Sequence, residues 1–403
     1  MDKMDNIEVG KKFGLYFVDE KVGKGLPMLL PKGATIRRIL ERFIIDEELR
    51  RGYQHVITPD FAKIDLYKTS GHWPLYKESM YPPFLVDDKE YLLKPMTCPH
   101  HITIYKHEPH SYHALPIRYA ELAHQYRREQ SGELHGLIRV RMFTLADAHI
   151  FCTPDQMQSE FKKVVDLIQY VLKSLGIKNY WYRISLRDKT KTKYIGSDEL
   201  WDKAENAIRK AMKDLKLKYV EAEGEAAFYG PKLDIQVKNT YGKEDTLLTN
   251  QIDFQLPDKF NLSYVGKDGK KKVPVMIHRA SLGCIERTMA FLFEQYQGEF
   301  PIWLSPIQVR LVNMNDDLIP YSDDIVEKLR DAGFRVDTDY RSESVGKKVR
   351  EAEVQKIPYI IVIGPKEKDA GTLAVRSRGE KPKFGVKFDD LVKEIKTLEE
   401  NKK

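Results

Sequence analysis

With 403 residues, 42% of them apolar and 32% charged, the chain has an ordinary globular composition and excess length for one compact core, which excludes a small single domain and a disordered polymer alike. A formal net charge of +7 is a mild bias that suits a nucleic-acid partner without requiring one. Cys98, Cys152 and Cys284 form no CxxC pair, no stretch reaches the roughly 20 apolar residues of a membrane span, and the amino end has no apolar leader, so a cytoplasmic protein with no membrane association is expected.

In chain order, the first strong signal is a helix over 34–50. Ile36, Ile39, Leu40, Phe43 and Ile44 recur there at helical spacing, and Gly52 stops the run. A strand is expected over 53–58, ended by Pro59. Within an apolar run, Asp147 and His149 stand two residues apart, which puts a carboxylate and an imidazole on one face of a strand. A helix follows Thr153. Thr153 is its N-cap, Pro154 its first residue and Gln156 the partner of a capping box. Phe161, Val164, Val165, Ile168 and Leu172 form its apolar face, and Gly176 closes it. Residues 182–280 read as strand-rich with one helix over 199–215, and a turn at 267–270 joins strands 262–265 and 273–278 into a hairpin. A helix over 285–296 ends this part. Long strands, tight turns and late helices indicate an α+β architecture, an antiparallel sheet with helices on one face.

Near Phe300 the pattern changes, and Pro301 and Pro306 bracket a connector. Strands over 309–313, 335–339 and 359–363 then alternate with helices over 321–332 and 344–356, the rhythm of a small α/β domain with a mostly parallel sheet. The Lys/Glu-rich tail 394–403 reads as a fraying helix. Two domains are therefore expected, 1–300 and 301–403.

The chain has no GxxxxGK[ST] phosphate loop, and Gly23-Lys24-Gly25 opens no dinucleotide fingerprint. A nucleotide would have to be held by arginines, whose planar fork grips phosphate oxygens in pairs and keeps its proton. Arg127, beside Arg128, Glu129 and the Ser131-Gly132 turn, is one candidate, with Arg139 and Arg141 nearby. Arg287, a charge among apolar helix residues, is the other. Taken singly, each of these arginines reads as a surface ion-pair partner. Histidines at 100, 101, 149 and 278 lack zinc-finger spacing, so Asp147 and His149 read equally as part of a metal site or of an acid–base pair.

Eight stretches in order carry a family resemblance: LPKGATIRRILE, LYKTSGHWPLYKESMYPPF, LLKPMTCPHHI, YRREQSGELHGLIRVRMF, DAHIFCTPDQ, AFYGPKLDIQV, PVMIHRASLGCIER and YRSESVGKKVREAEVQKIPYIIVIG. From about residue 10 to 398 the chain resembles threonyl-tRNA synthetases of class II. The resemblance implies a class II antiparallel sheet with flanking helices, followed by a C-terminal α/β anticodon-binding domain. It implies ATP-dependent activation of L-threonine to threonyl-adenylate and transfer to the 3′ end of tRNA(Thr). By residue, it implies Cys98, His149 and His278 as ligands of one Zn²⁺, and Mg²⁺ accompanying ATP. Arg127 and Arg287 are implied as the catalytic arginines on the nucleotide, with Glu129, Arg139, Phe143 and Lys232 as further ATP contacts. Asp147, Tyr229 and Gln251 are implied for threonine, and Arg350, Glu367 and Arg376 for the anticodon. The helix over 34–50 resembles the one through which the family forms homodimers.

Three positions depart from the family pattern: Leu145 and Thr246 stand where glutamines are common, and Ser342 where an asparagine is common. The resemblance also begins close to the catalytic core. A form without the N-terminal editing region is therefore expected, one that makes Ser-tRNA it does not clear. Two other readings compete: a paralogue that binds RNA or an amino acid without charging tRNA, and a class II enzyme for serine or proline. The full Cys98, His149, His278 set with Asp147 favours threonine, and the paired arginines favour an active enzyme.

Overall fold

Alternating apolar and polar residues between 54 and 284 build an eight-stranded sheet in the computed structural model, which describes residues 3–402. Its strands are β1 (Gln54–His55), β2 (Ile117–Tyr126), β3 (Met142–Cys152), β4 (Tyr180–Leu186), β5 (Tyr219–Glu223), β6 (Lys232–Lys238), β7 (Glu244–Asp253) and β8 (Val275–Cys284). Their spatial order is β5–β4–β6–β7–β8–β3–β2–β1. All neighbours pair antiparallel except the two edge strands, β5 and β1, which run parallel to theirs.

The helix Pro154–Ser174 has the expected cap: Thr153 accepts from the Gln156 N–H, and Gln156 returns the bond to the Thr153 N–H. Its buried face, including Phe161, Val164, Val165 and Ile168, lies against β3, β7 and β8. Asn250 on β7 donates to the Phe161 carbonyl at 3.2 Å, which identifies the helix-covered face of the sheet. Residues one step along each strand therefore point to the opposite face.

Arg279 on β8 belongs to the covered face and is wholly buried. It pairs at 2.7 Å with Glu48, near the end of the helix Pro31–Arg50, and stacks over Tyr53 at 4.3 Å. Removing one member of such a pair strands a charge in the interior. Glu48→Gln is expected to cost about 3–5 kcal/mol of stability in a urea titration, whereas a loss below about 1 kcal/mol would mean that water reaches Arg279.

Three local expectations are corrected. Only Gln54–His55 of the 53–58 run is strand, because β1 is an edge strand that Pro59 follows. The 267–270 turn joins Tyr264–Val265 to Lys271–Lys272, not to 273–278. Pro274 has no N–H and ends that ladder, and β8 then starts at Val275 as a central strand of the large sheet. The tail helix is Phe388–Glu400 with Leu391 and Ile395 fully buried, so it is a packed element and not a fraying end; Lys403 lies outside the described residues.

The structure divides into two compact units, one comprising residues 18–27 and 41–291 and the other the residues up to 17, 28–40 and those from 292 onward. In the second, five strands lie in the order Val336–Asp339, Val309–Asn313, Tyr359–Ile363, Leu373–Ser377 and Lys383–Val386. The first three are parallel, as the apolar run at 359–363 indicates, and the last two form an antiparallel extension. Val309, Leu311, Ile325, Leu329, Ile361 and Ile363 are core residues beneath its helices. The helix Asn6–Phe13, also unanticipated, is tied to this unit by Glu294, which accepts from the Asn6 backbone and side-chain N–H groups at 3.2 and 2.9 Å.

Candidate active site

The uncovered face of the large sheet gathers chemistry in two rows. Strand register sets Lys232, Gln251, His278 and His149 side by side across β6, β7, β8 and β3. The adjacent row is Asp234, Thr249, Ala280, Asp147 and Glu121. Residues more than a hundred positions apart in the chain, such as His149 and His278, thus become neighbours through strand pairing.

His149 and His278 face each other directly, with ring centroids 4.7 Å apart. Cys98 joins them from the first residue of the helix Cys98–His107, and the three ligand atoms all lie within 4.8 Å of one another. One thiol and two imidazoles make a donor set suited to Zn²⁺, and three protein ligands leave coordination open. Burial pushes the Cys98 thiol well above its ordinary range and His149 well below, so His149 is the neutral imidazole that a metal requires. The Asp253 carboxylate accepts from His278 Nε2 at 2.8 Å, the outer support typical of a metal-bound histidine. These residues fit the metal that the resemblance implies.

Around this group the expected threonine contacts close in. Tyr229 stacks on His278, with centroids 4.6 Å apart, and donates its hydroxyl to Gln251 Oε1 at 2.9 Å. Asp147 is buried, and its carboxyl is pushed up to about 7, chiefly by burial, against the pull of Arg279. A cation beside it would draw that value down. His72 was not singled out in the sequence; its Nε2 lies 3.7 Å from Cys98 Sγ and its ring 5.1 Å from that of Phe228. Glu121, Asp253 and His72 gave no sequence signal, since each is remote in the chain from the ligand it serves.

A neighbouring pocket is lined by Arg127, Glu129, Arg139, Phe143 and Arg287, together with Leu145 and Thr246. The Arg127 guanidinium lies over the Phe143 ring at 5.1 Å. Its Nε is buried without a hydrogen-bond partner among the described residues. Arg287 donates to the carbonyls of Ile138 and Thr246 at 3.1 and 3.0 Å, which fixes its head group. Arg139 lies 3.3 Å from both Glu129 and Glu133, so it must leave carboxylates to meet a phosphate. Gly283 also lines this pocket at φ +68°, and a Cβ there would come within 2.1 Å of the Leu247 carbonyl oxygen. Lys232 is not among the pocket's lining residues; its Nζ lies 3.2 Å from Asp234. Thr246, one of the departures, accepts from Gln236 Nε2 at 2.6 Å.

The three expected anticodon residues are spread over the C-terminal sheet's surroundings. Arg350 is exposed on the helix Val345–Val354, and Glu367 caps the short helix Pro365–Ala370 by accepting from the Gly364 N–H at 3.0 Å. Arg376 pairs in register with Ile360 and bonds Glu353 at 2.8 Å. Arg376 and Glu367 therefore lie toward opposite ends of the strand Tyr359–Ile363.

Comparison with known proteins agrees over nearly the whole length. The family described as tRNA synthetase class II core domain (G, H, P, S and T) matches residues 84–296, and the anticodon binding domain family matches 308–398. Threonine–tRNA ligase of Geobacillus sp. (strain WCH70) is 51% identical over 97% of this chain, and that of Oceanobacillus iheyensis is 49% identical over 99%. The chain spans 61% and 62% of those two relatives' lengths. A crystal structure titled as the RNA binding domain of threonyl-tRNA synthetase from Cryptosporidium parvum Iowa II superposes with a TM-score of 0.93 at 37% identity, covering 98% of each chain.

Proposed function

The chain belongs to the threonyl-tRNA synthetase family of class II aminoacyl-tRNA synthetases, and on that premise we propose that it activates L-threonine with ATP and transfers it to tRNA(Thr). The observation that carries this reading is the convergence of Cys98, His149 and His278 beside Asp147 on the sheet face that borders the arginine-lined pocket.

Cys98, His149 and His278 would hold Zn²⁺, which supplies open coordination for the amino and hydroxyl groups of threonine and so disfavours valine, the near-isostere without a hydroxyl. Asp147 accepts a hydrogen bond from the threonine hydroxyl, and Tyr229 and Gln251 line the amino-acid side. Phe143 stacks against adenine while Glu129 holds its amino group. Arg127 and Arg287 take the phosphates from opposite sides, with Arg139, Lys232 and Mg²⁺ on the remaining charge. The threonine carboxylate attacks the α-phosphorus, pyrophosphate leaves, and the terminal ribose hydroxyl of tRNA then displaces AMP. No side-chain nucleophile is needed, because orientation and charge neutralisation lower the barrier.

We assign this chemistry to residues 1–300 and anticodon reading to 301–403 through Arg350, Glu367 and Arg376. The helix Pro31–Arg50 is the proposed homodimer element. Three free cysteines suit a reducing cytoplasm, and no helix among the described residues is long and apolar enough to cross a membrane.

Amino-acid-dependent ATP–pyrophosphate exchange, with metal analysis of the same sample, tests the proposal. Exchange with threonine and not valine, and about one zinc per chain, is the expected result. Exchange driven by proline or serine alone, or none with any amino acid, would overturn it.

A further inference from the structure

The two histidine ligands are supported in different ways. His278 donates through Nε2 to Asp253, whose Oδ1 is pinned by the backbone N–H groups of Gln255 and Leu256 at 2.7 and 3.0 Å. Among the described residues, His149 has no carboxylate partner of its own. Its Nδ1 lies 2.8 Å from Nδ1 of His101, and Nε2 of His101 lies 3.1 Å from Glu121 Oε2. His101, His149 and Glu121 are all buried, with exposures of 0%, 1% and 5%.

Proton accounting gives this chain one direction. An ionised carboxylate only accepts, so His101 must donate from Nε2. Its Nδ1 then carries a lone pair, and His149 must donate from Nδ1. Only Nε2 of His149 remains as a lone pair. Glu121 is itself anchored: it accepts from the Thr58 N–H and hydroxyl, both at 2.9 Å, and the buried ammonium of Lys94 lies 3.5 Å away.

We propose that His101 and Glu121 are positioning residues that lock the tautomer and orientation of His149, holding its Nε2 toward the metal. The proposal rests on the metal reading given above. His101 lies on the same helix as Cys98, one turn further on, so that helix delivers one ligand and orients another. An apolar pair at 101 and 121 would fill the same space, so packing alone has no need of this directed chain.

The test uses the full chain and Zn²⁺ itself, with affinity measured by chelator competition and the visible absorption of the Co²⁺-substituted protein. His101→Leu and Glu121→Gln should each weaken zinc binding by about 10–100-fold and change the Co²⁺ spectrum. His101→Asn keeps an oxygen acceptor near the Nδ1 position and should retain most of the affinity. A purely structural role would lower Tm and leave the affinity and spectrum of the folded protein unchanged. That outcome in both His101→Leu and Glu121→Gln overturns the proposal, and Glu121→Gln decides it alone if the leucine variant does not fold. Absence of zinc binding by the parent chain would instead remove the metal reading, so the two failures are distinct.

Discussion

Replacing Cys98 with alanine is expected to abolish zinc binding and threonine activation while leaving the fold in place. The three ligand atoms come from one helix and two sheet strands, and those elements are held together by one core cluster that includes Ile102, Tyr105, Phe151 and Met276. Loss of one sulfur removes little packing, on the order of 1 kcal/mol for a small buried side chain. It removes one of three protein donors, however, and two neutral imidazoles alone hold Zn²⁺ far more weakly. Threonine-dependent pyrophosphate exchange should fall at least about 1,000-fold, equivalent to about 4 kcal/mol of lost transition-state stabilisation. Circular dichroism and Tm should stay near the parent's. A zinc-free variant with full exchange activity would refute the role given to Cys98.

Arg127→Ala is the second large effect. Arg127 is half-buried beside Arg287, and desolvation first, then that neighbouring cation, lowers its pKa. Two like charges therefore repel each other there, and one donor of Arg127 has no partner among the described residues. Such an arrangement is unfavourable until an anion lies between them. Removing Arg127 should reduce the rate of pyrophosphate exchange by about 10²–10³, the usual loss for a donor aimed at developing charge. Stability should hold or rise, because the repulsion is relieved. Arg127→Lys should not restore the rate, since an ammonium has no planar fork and stacks less well on Phe143. Exchange within about threefold of the parent in the alanine variant would remove Arg127 from the chemistry.

Much of the fold was legible in the chain where the signal is local. The helix Pro154–Ser174 follows from its capping box and apolar stripe, and the strands at 309–313 and 359–363 occur where their apolar runs indicate. The hairpin at 264–272 shows the limit. Its turn was readable, but Pro274 broke the ladder before β8 and sent that strand to other partners. The tail helix was misread for a similar reason, because burial of Leu391 and Ile395 depends on a sheet formed elsewhere in the chain.

The candidate site divides along the same line. Alternation in β3 was enough to place Asp147 and His149 on one face, and residue chemistry was enough to single out arginines as anion holders. Family resemblance, not spacing, joined Cys98 and His278 to them. Only the tertiary structure set His278 opposite His149, put Glu121 and Asp253 behind the histidines, and laid the Arg127 guanidinium over Phe143. Periodicity and capping are written within a few residues and can be read there. Register, burial and the direction of a hydrogen-bond chain arise between segments far apart in sequence, and they exist only once the sheet has closed.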